Sequence, residues 1–172
     1  VYRALMEGDG AVAPDCSRIA VAKGEVVGHA LVLPRQMGVC GVPTPAGVVA
    51  FVVVRADVRR RGIGSALMEG AARFMRAKGF LISHLSGDPA FYRRFGYVEA
   101  YGKGAGAVRL EDARPGCVTV REAALADAGA LCGLFERENA GRTGCIRRDA
   151  AQWAWQLRTG HPVGYAAHNE GL

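Results

Sequence analysis

The sequence predicts an α/β (α+β) fold, a mixed, mostly antiparallel twisted sheet flanked by helices and followed by a partial second unit. Three observations carry this. Arg18 to Ala22 and Val26 to Leu33 are apolar, β-branched runs joined by a tight glycine-containing connection, which reads as a hairpin. Val48 to Val54 is a further valine-rich run, too short for a helix of its own, and it passes through a glycine-marked turn into an apolar periodic segment beginning at Ile63. Gly79 to Ser86 then reads as another buried strand, closed by Gly87-Asp88-Pro89.

The elements follow in order. Val1 to Met6 reads as the tail of a helix, and Lys23 to Glu25 turns the first hairpin. Gly38 to Ala46 is an extended hairpin ahead of the strand at Val48 to Val54. After the helix from Ile63 and the strand at 79–86, Asp88 caps a short helix with Pro89 at its first position; Gly96 stops it. A Gly- and Ala-rich loop at 102–107 and a linker around Glu111 to Gly116 lead to a new pattern. Cys117 to Glu122 reads as a strand, and Ala126 to Glu138 as an amphipathic helix with Leu131, Leu134 and Phe135 on one face. Asp149 caps a helix containing Trp153, Trp155 and Leu157, and Val163 to Ala167 begins another strand.

The turn after Val54 has the chemistry of a phosphate seat. The first N–H groups of a helix lack intrahelical partners, and the macrodipole adds positive character there. Gly62 and Gly64 allow close backbone approach, and Arg59, Arg60 and Arg61 add matching charge. A P-loop would need a lysine and a hydroxyl residue after the second glycine, where Ser65 and Ala66 stand. The dinucleotide fingerprint would need a small residue where Leu67 stands.

What fits is Arg-x-x-Gly-x-Gly, read as Arg59, Gly62 and Gly64 directly after a strand. It resembles the coenzyme A motif of the GNAT superfamily of acetyltransferases. Tyr92, Gly96 and Tyr97 are similar to that superfamily's Tyr-x-x-x-Gly-aromatic segment. Within the superfamily the chain resembles the Eis-like tandem proteins, over about residues 18–110, on Arg59 to Gly62, Tyr92 to Tyr97 and the 38–46 hairpin. The resemblance implies a GNAT-like sheet and acetyl-CoA as cosubstrate, with no metal. It implies cofactor contacts at Val52, Val53 and Val54, at Arg59, Arg60, Arg61, Gly62, Ile63, Gly64 and Ser65, and at Gly87 and Asp88. It also implies that Tyr92 protonates the departing thiolate. Eis-like proteins use their C-terminal carboxylate as base. Leu172 ends this sequence short of such a domain, so that assignment does not transfer and the base stays open, with Asp57 and Glu99 as carboxylates that no spacing singles out.

Against that pattern, residues 1–112 read as a GNAT module without its first strand and helices, and 117–172 as the first half of a second. Residues 117–157 are expected to stay a separate half-domain, and incomplete domains imply marginal stability or self-association. Half of the residues are apolar, enough for a sizeable core, and no run reaches the roughly 20 apolar residues of a membrane span. Cys16, Cys40, Cys117, Cys132 and Cys145 form no C-x-x-C pair, which fits a reduced, cytoplasmic setting without a metal site. His29, His84, His161 and His168 are scattered and read as strand or surface residues.

The net charge of +6 admits a nucleic-acid patch built from the arginines around Tyr92, Phe95 and Tyr97. Both arginine clusters lie on the predicted cofactor segments, so the cofactor's phosphates account for the charge and nucleic acid is not an expected partner. The leading function is N-acetyl transfer from acetyl-CoA to a primary amine in a ternary complex. A non-catalytic acyl-CoA-binding module and an inactive fragment are the alternatives. The acceptor is a small-molecule or peptide amine; aminoglycosides, polyamines, peptide N-termini and lysine side chains all remain open.

Overall fold

The computed structural model describes residue 8 and residues 10–100 and 121–160. Four strands, β1 (Ser17–Ala22), β2 (Glu25–Val39), β3 (Val42–Val54) and β4 (Ile82–His84), form one sheet in the order β1-β2-β3-β4. The first two pairings are antiparallel and β3–β4 is parallel. Helix α1 (Ile63–Ala77) makes the crossover between β3 and β4. Helix α2 (Pro89–Tyr92) runs into a 3₁₀ turn at Arg93–Phe95. Helices α3 (Ala128–Asn139) and α4 (Ala150–Thr159) follow in the C-terminal part.

Both hairpin turns are two-residue loops with positive φ at each residue, Lys23-Gly24 and Cys40-Gly41. That backbone twist matches the twist of the flanking strands. β2 runs past the Leu33 end read from the sequence, and β3 joins the second arm of the 38–46 hairpin to the strand at 48–54, so Pro34, Pro43 and Pro45 sit inside the two strands. Their positions explain this. Gln36 and Gly38 direct their backbone groups outward, away from β3, and Pro34 shares their parity. Pro43 and Pro45 pair with Gly38 and Gln36, so their backbones point away from β2, and Pro45 O accepts from Leu81 N–H at 3.0 Å. None of the three breaks the β2–β3 ladder, which is where proline is tolerated in a sheet.

The core lies between the sheet and α1. Leu67, Met68, Ala71, Phe74 and Met75 are the buried positions of α1, the spacing of one helical face. Met68, Ala71, Phe74 and Met75 pack with Leu31, Val32, Val48 and Val49, and each fully buried large side chain contributes about 1.5–3 kcal/mol. Two glycines set the helix-to-sheet distance. A Cβ at Gly28 would lie 3.0 Å from Leu67 Cδ1 and 3.1 Å from Val53 O, and one at Gly47 would run into Met75. Gly28→Val is therefore expected to lower stability by about 2 kcal/mol through overpacking, read as a shifted denaturant midpoint with an unchanged slope.

The C-terminal helices pair through Phe135 and Trp153, whose rings meet edge-on at 6.0 Å, with Arg148 over both. Asp149 caps α4 by accepting from Gln152 N–H at 2.7 Å, as the sequence predicts. In α3, Leu131 and Phe135 are half-buried, but Leu134 is 48% exposed and lies off the packed face. The connecting segment docks on the outer edge of β2. Gly38 N–H donates to Cys145 O at 2.9 Å, Gly144 N–H to Gly38 O at 2.8 Å and Arg147 N–H to Gln36 O at 2.8 Å. These bonds cover the half of β2 that β1 does not reach, and Ile146 joins the core.

Some expectations meet the structure differently or fall outside it. The strand expected at 79–86 shrinks to Ile82–His84, because β4 leaves β3 after the Val48–His84 pair. Arg121 and Glu122, expected in a strand, are not in one; Arg121 instead forms a bidentate pair with Asp127 at 2.7 and 2.8 Å. Residues 1–6, the 102–107 loop, the 112/117 boundary, the rest of the 117–122 strand and the strand start at 163–167 lie outside the described residues.

Candidate functional site

The site is built where β3 ends. His29 pairs with Val53 and Leu31 with Ala50, so Phe51 and Val52 together oppose Ala30. This β-bulge places Phe51 at φ +51°, a conformation that costs a non-glycine residue about 1–3 kcal/mol. His29 Nδ1 lies 3.3 Å from the Phe51 carbonyl, which can only accept. On the other side of β3, β4 pairs only with Ala46, Gly47 and Val48. The β3–β4 pairing ends at Val48, so Val52, Val53 and Val54 lie beyond the last rung, where β4 does not pair with β3. Such an edge accepts an extended ligand as an added strand.

The turn after β3 carries the second part. Arg55 binds Asp57 at 2.7 and 3.0 Å and Glu25 at 2.7 Å, and Arg59 Nε donates to Val54 O at 3.1 Å. These contacts tether the turn to the strand end. Arg60 (φ +62°) and Gly62 (φ +80°) are both left-handed and flank Arg61, an alternation from which anion-binding backbone concavities are made. Gly62 is the N-cap of α1, and no side chain caps this helix. The first intrahelical bond runs from Ala66 N–H to Gly62 O at 3.0 Å, so the N–H groups of Ile63, Gly64 and Ser65 lie ahead of the helical ladder. The side chains of Arg60 and Arg61 are exposed beside them. An uncapped N-terminus with flanking guanidiniums suits a diphosphate.

The third part is α2. Asp88 accepts from Ala90 N–H at 2.9 Å and Pro89 opens the helix, as the sequence predicts, and Gly96 ends the following turn at φ +86°. Asp88 thus spends its carboxylate on the cap. Tyr92 is half-buried, edge-on to Phe91 at 4.9 Å and to Tyr97 at 6.0 Å. Gly87 lies directly beneath its ring, where a Cβ would collide. Burial, then the nearby Tyr97 and Asp88, push the Tyr92 phenol above its ordinary range, so it holds its proton at neutral pH. The Tyr97 hydroxyl is hydrogen-bonded to the Ser83 hydroxyl on β4.

One residue joins these parts. A Cβ on Gly64 would stand 3.2 Å from Phe91 Cζ and 3.9 Å from Val54 Cγ2, so the first turn of α1 lies between α2 and the end of β3. Of the two carboxylates left open as bases, Asp57 is held by Arg55, whose guanidinium keeps it below the usual carboxylate range. Glu99 is exposed and 3.6 Å from Arg93. Arg94 lies over Phe91 and Phe95 at 4.7 and 5.6 Å, so the 93–94 arginines are engaged locally. Sequence reading passed over two features, the Phe51 bulge and the Ser83–Tyr97 pair, and it read His84 as a strand or surface residue, which its place in β4 bears out. His84 is half-buried in the last β3–β4 ladder pair, and burial pushes its imidazole below its ordinary value.

Comparison with known proteins gives a consistent result. Residues 6–100 match the family model described as an acetyltransferase (GNAT) domain. None of the curated proteins matches the sequence. Among solved structures, Eis1 from Mycobacterium abscessus is similar over 90% of this chain and 41% of its own, at 22% identity and a TM-score of 0.60. A conserved protein from Enterococcus faecalis V583, described as a probable N-acyltransferase, is similar over 82% of this chain and 37% of its own, at 19% identity and a TM-score of 0.68. The chain therefore spans less than half the length of either, and at these identities the likeness is one of fold.

Proposed function

Since the chain belongs to the GNAT acetyltransferase family through residues 6–100, we propose that it transfers an acetyl group from acetyl-CoA to a primary amine by direct attack in a ternary complex. The observation that supports this best is the junction at Gly64, where the uncapped start of α1 meets the end of β3 at Val54 and Phe91 of α2, the ring on which the protonated Tyr92 packs.

Those residues fit the cosubstrate in kind. Backbone N–H groups from Arg60 to Ser65 bind its diphosphate, with the guanidiniums of Arg59, Arg60 and Arg61 adding charge. The backbone of Val52, Val53 and Val54 holds the pantetheine arm as a strand partner, and an N–H there polarises the thioester carbonyl. When bound, acetyl-CoA supplies an activated thioester. Tyr92 keeps a proton at Oη for the leaving sulfur, with Gly87 giving the ring its seat. Asp88 acts through the cap that sets α2. The acceptor is a small-molecule or peptide amine. Residues 1–112 form the transferase module, and 117–172 a further unit attached to β2 through 144–147.

Thiol release from acetyl-CoA tests the reading, assayed on the full chain with a panel of primary amines. Amine-dependent release with acetylated product is the expected result. Calorimetric binding of acetyl-CoA without turnover of any amine would leave a binding module instead. No binding by the folded chain would remove both.

A further inference from the structure

We propose that the hydroxyl pair of Ser83 and Tyr97 positions the acid of the reaction, fixing where the Tyr92 phenol stands relative to the sheet. This rests on the acetyl-transfer reading above.

The segment that carries Tyr92 cannot hold the ring in place alone. Helix α2 is 4 residues long and continues into a 3-residue 3₁₀ turn, too short to be stable without tertiary contacts. The Tyr92 ring is held between two others, Phe91 at 4.9 Å and Tyr97 at 6.0 Å, both edge-on, with Gly87 beneath it. Each of those rings has its own anchor. Phe91 bears on the first turn of α1 at Gly64. The Tyr97 hydroxyl is hydrogen-bonded to the Ser83 hydroxyl, and Ser83 pairs with Gly47 one rung before the β3–β4 ladder ends. The acid is thus tied on one side to the start of α1 and on the other to β4. The two anchors differ in kind. The Phe91 contact is one of packing and sets no direction. A bond between two hydroxyls is directional, and both belong to half-buried residues, where losing one partner leaves the other unsatisfied. The Ser83–Tyr97 bond therefore fixes the Tyr97 ring, and that ring fixes Tyr92.

The same pair sets the surroundings of the phenol. Burial is the main cause that raises the Tyr92 pKa, and Tyr97 and Asp88 are the titratable groups that add to it. Asp88 is held by the α2 cap, so breaking the Ser83–Tyr97 bond acts through the packing of Tyr97 on Tyr92. A loosened ring lets water reach the phenol. The Tyr92 titration then moves down toward the ordinary phenol value of about 10, and the alkaline limb of the rate moves down with it.

The test compares the full wild-type chain with Ser83→Ala, Ser83→Thr and Tyr97→Phe, using an amine that the wild type acetylates. The chain holds 5 tyrosines, so ¹³C labelling at tyrosine Cζ gives few enough resonances to identify Tyr92 by its loss in Tyr92→Phe. Its titration can then be followed by NMR without turnover. Ser83→Ala and Tyr97→Phe should each lower kcat by about 10- to 100-fold, with acetyl-CoA affinity unchanged and the Tyr92 titration moved down. Ser83→Thr, the conservative variant that keeps the hydroxyl, should recover most of both losses. The double variant Ser83→Ala/Tyr97→Phe should be no slower than either single one, because the same bond is removed each time. A lowered melting temperature with kcat and the Tyr92 titration unmoved would make the pair structural and overturn the proposal. Equal losses in Ser83→Ala and Ser83→Thr would assign the effect to side-chain size and overturn it as well. Full kcat in Tyr97→Phe would overturn it while leaving acetyl transfer in place. A wild type that binds acetyl-CoA but acetylates no primary amine would remove the transferase reading, and the pair's role in it.

Discussion

Gly62→Asp or Gly64→Asp is expected to weaken acetyl-CoA binding by ~10²-fold or more, because a carboxylate is set against a diphosphate at close range. The two positions fail for partly different reasons. Gly62 is left-handed with open space around it, so Gly62→Ala strains the backbone and should weaken binding less than the aspartate does. Gly64 has helical space but a crowded one: any side chain meets Phe91 and Val54. Gly64→Ala is therefore expected to disturb both α1 and α2, lowering the melting temperature as well as affinity. Calorimetric titration of all four variants separates charge from sterics. Aspartates that bind as tightly as wild type would move the diphosphate away from this turn.

Tyr92→Phe is expected to lower kcat by roughly 10²–10⁴-fold with little change in acetyl-CoA affinity. The substitution removes one hydroxyl and keeps the ring that packs on Phe91, Tyr97 and Gly87, so folding should be preserved. The pH dependence gives a second readout. A general acid must be protonated to act, and burial raises the Tyr92 pKa. Its contribution is therefore complete through neutral pH and is lost only above the ordinary phenol range of about 10. The wild-type rate should carry that alkaline limb, and the phenylalanine variant should lack it. An unchanged kcat in Tyr92→Phe would leave Tyr92 as a packing residue.

Much of the site was legible from short-range chemistry. The Asp88 cap with Pro89, the Gly96 stop, the Gly62 start of α1 and the Asp149 cap each involve residues within a few positions of one another. Their patterns survive in the linear sequence because their energetics are local. The prolines show where that reasoning stopped. The strand read from the sequence ends at Leu33, yet β2 runs on to Val39, and Pro34, Pro43 and Pro45 are harmless because their backbones point away from the β2–β3 ladder. Which edge a residue faces depends on its partner strand, and that cannot be read from its neighbours in the chain.

The same division holds for the whole protein. By itself the sequence determined the strand–turn–helix order, the arginine- and glycine-bearing turn and the tyrosine segment, because turn, cap and periodicity preferences act over a few residues. Only the tertiary structure decided the Phe51 bulge, the end of the β3–β4 pairing at Val48, the capture of Asp57 by Arg55 and the docking of 144–147 on β2. Each of these is a relation between segments far apart in the chain. They are set by register, by glycine-permitted close packing and by which backbone groups remain to be satisfied once the sheet has formed.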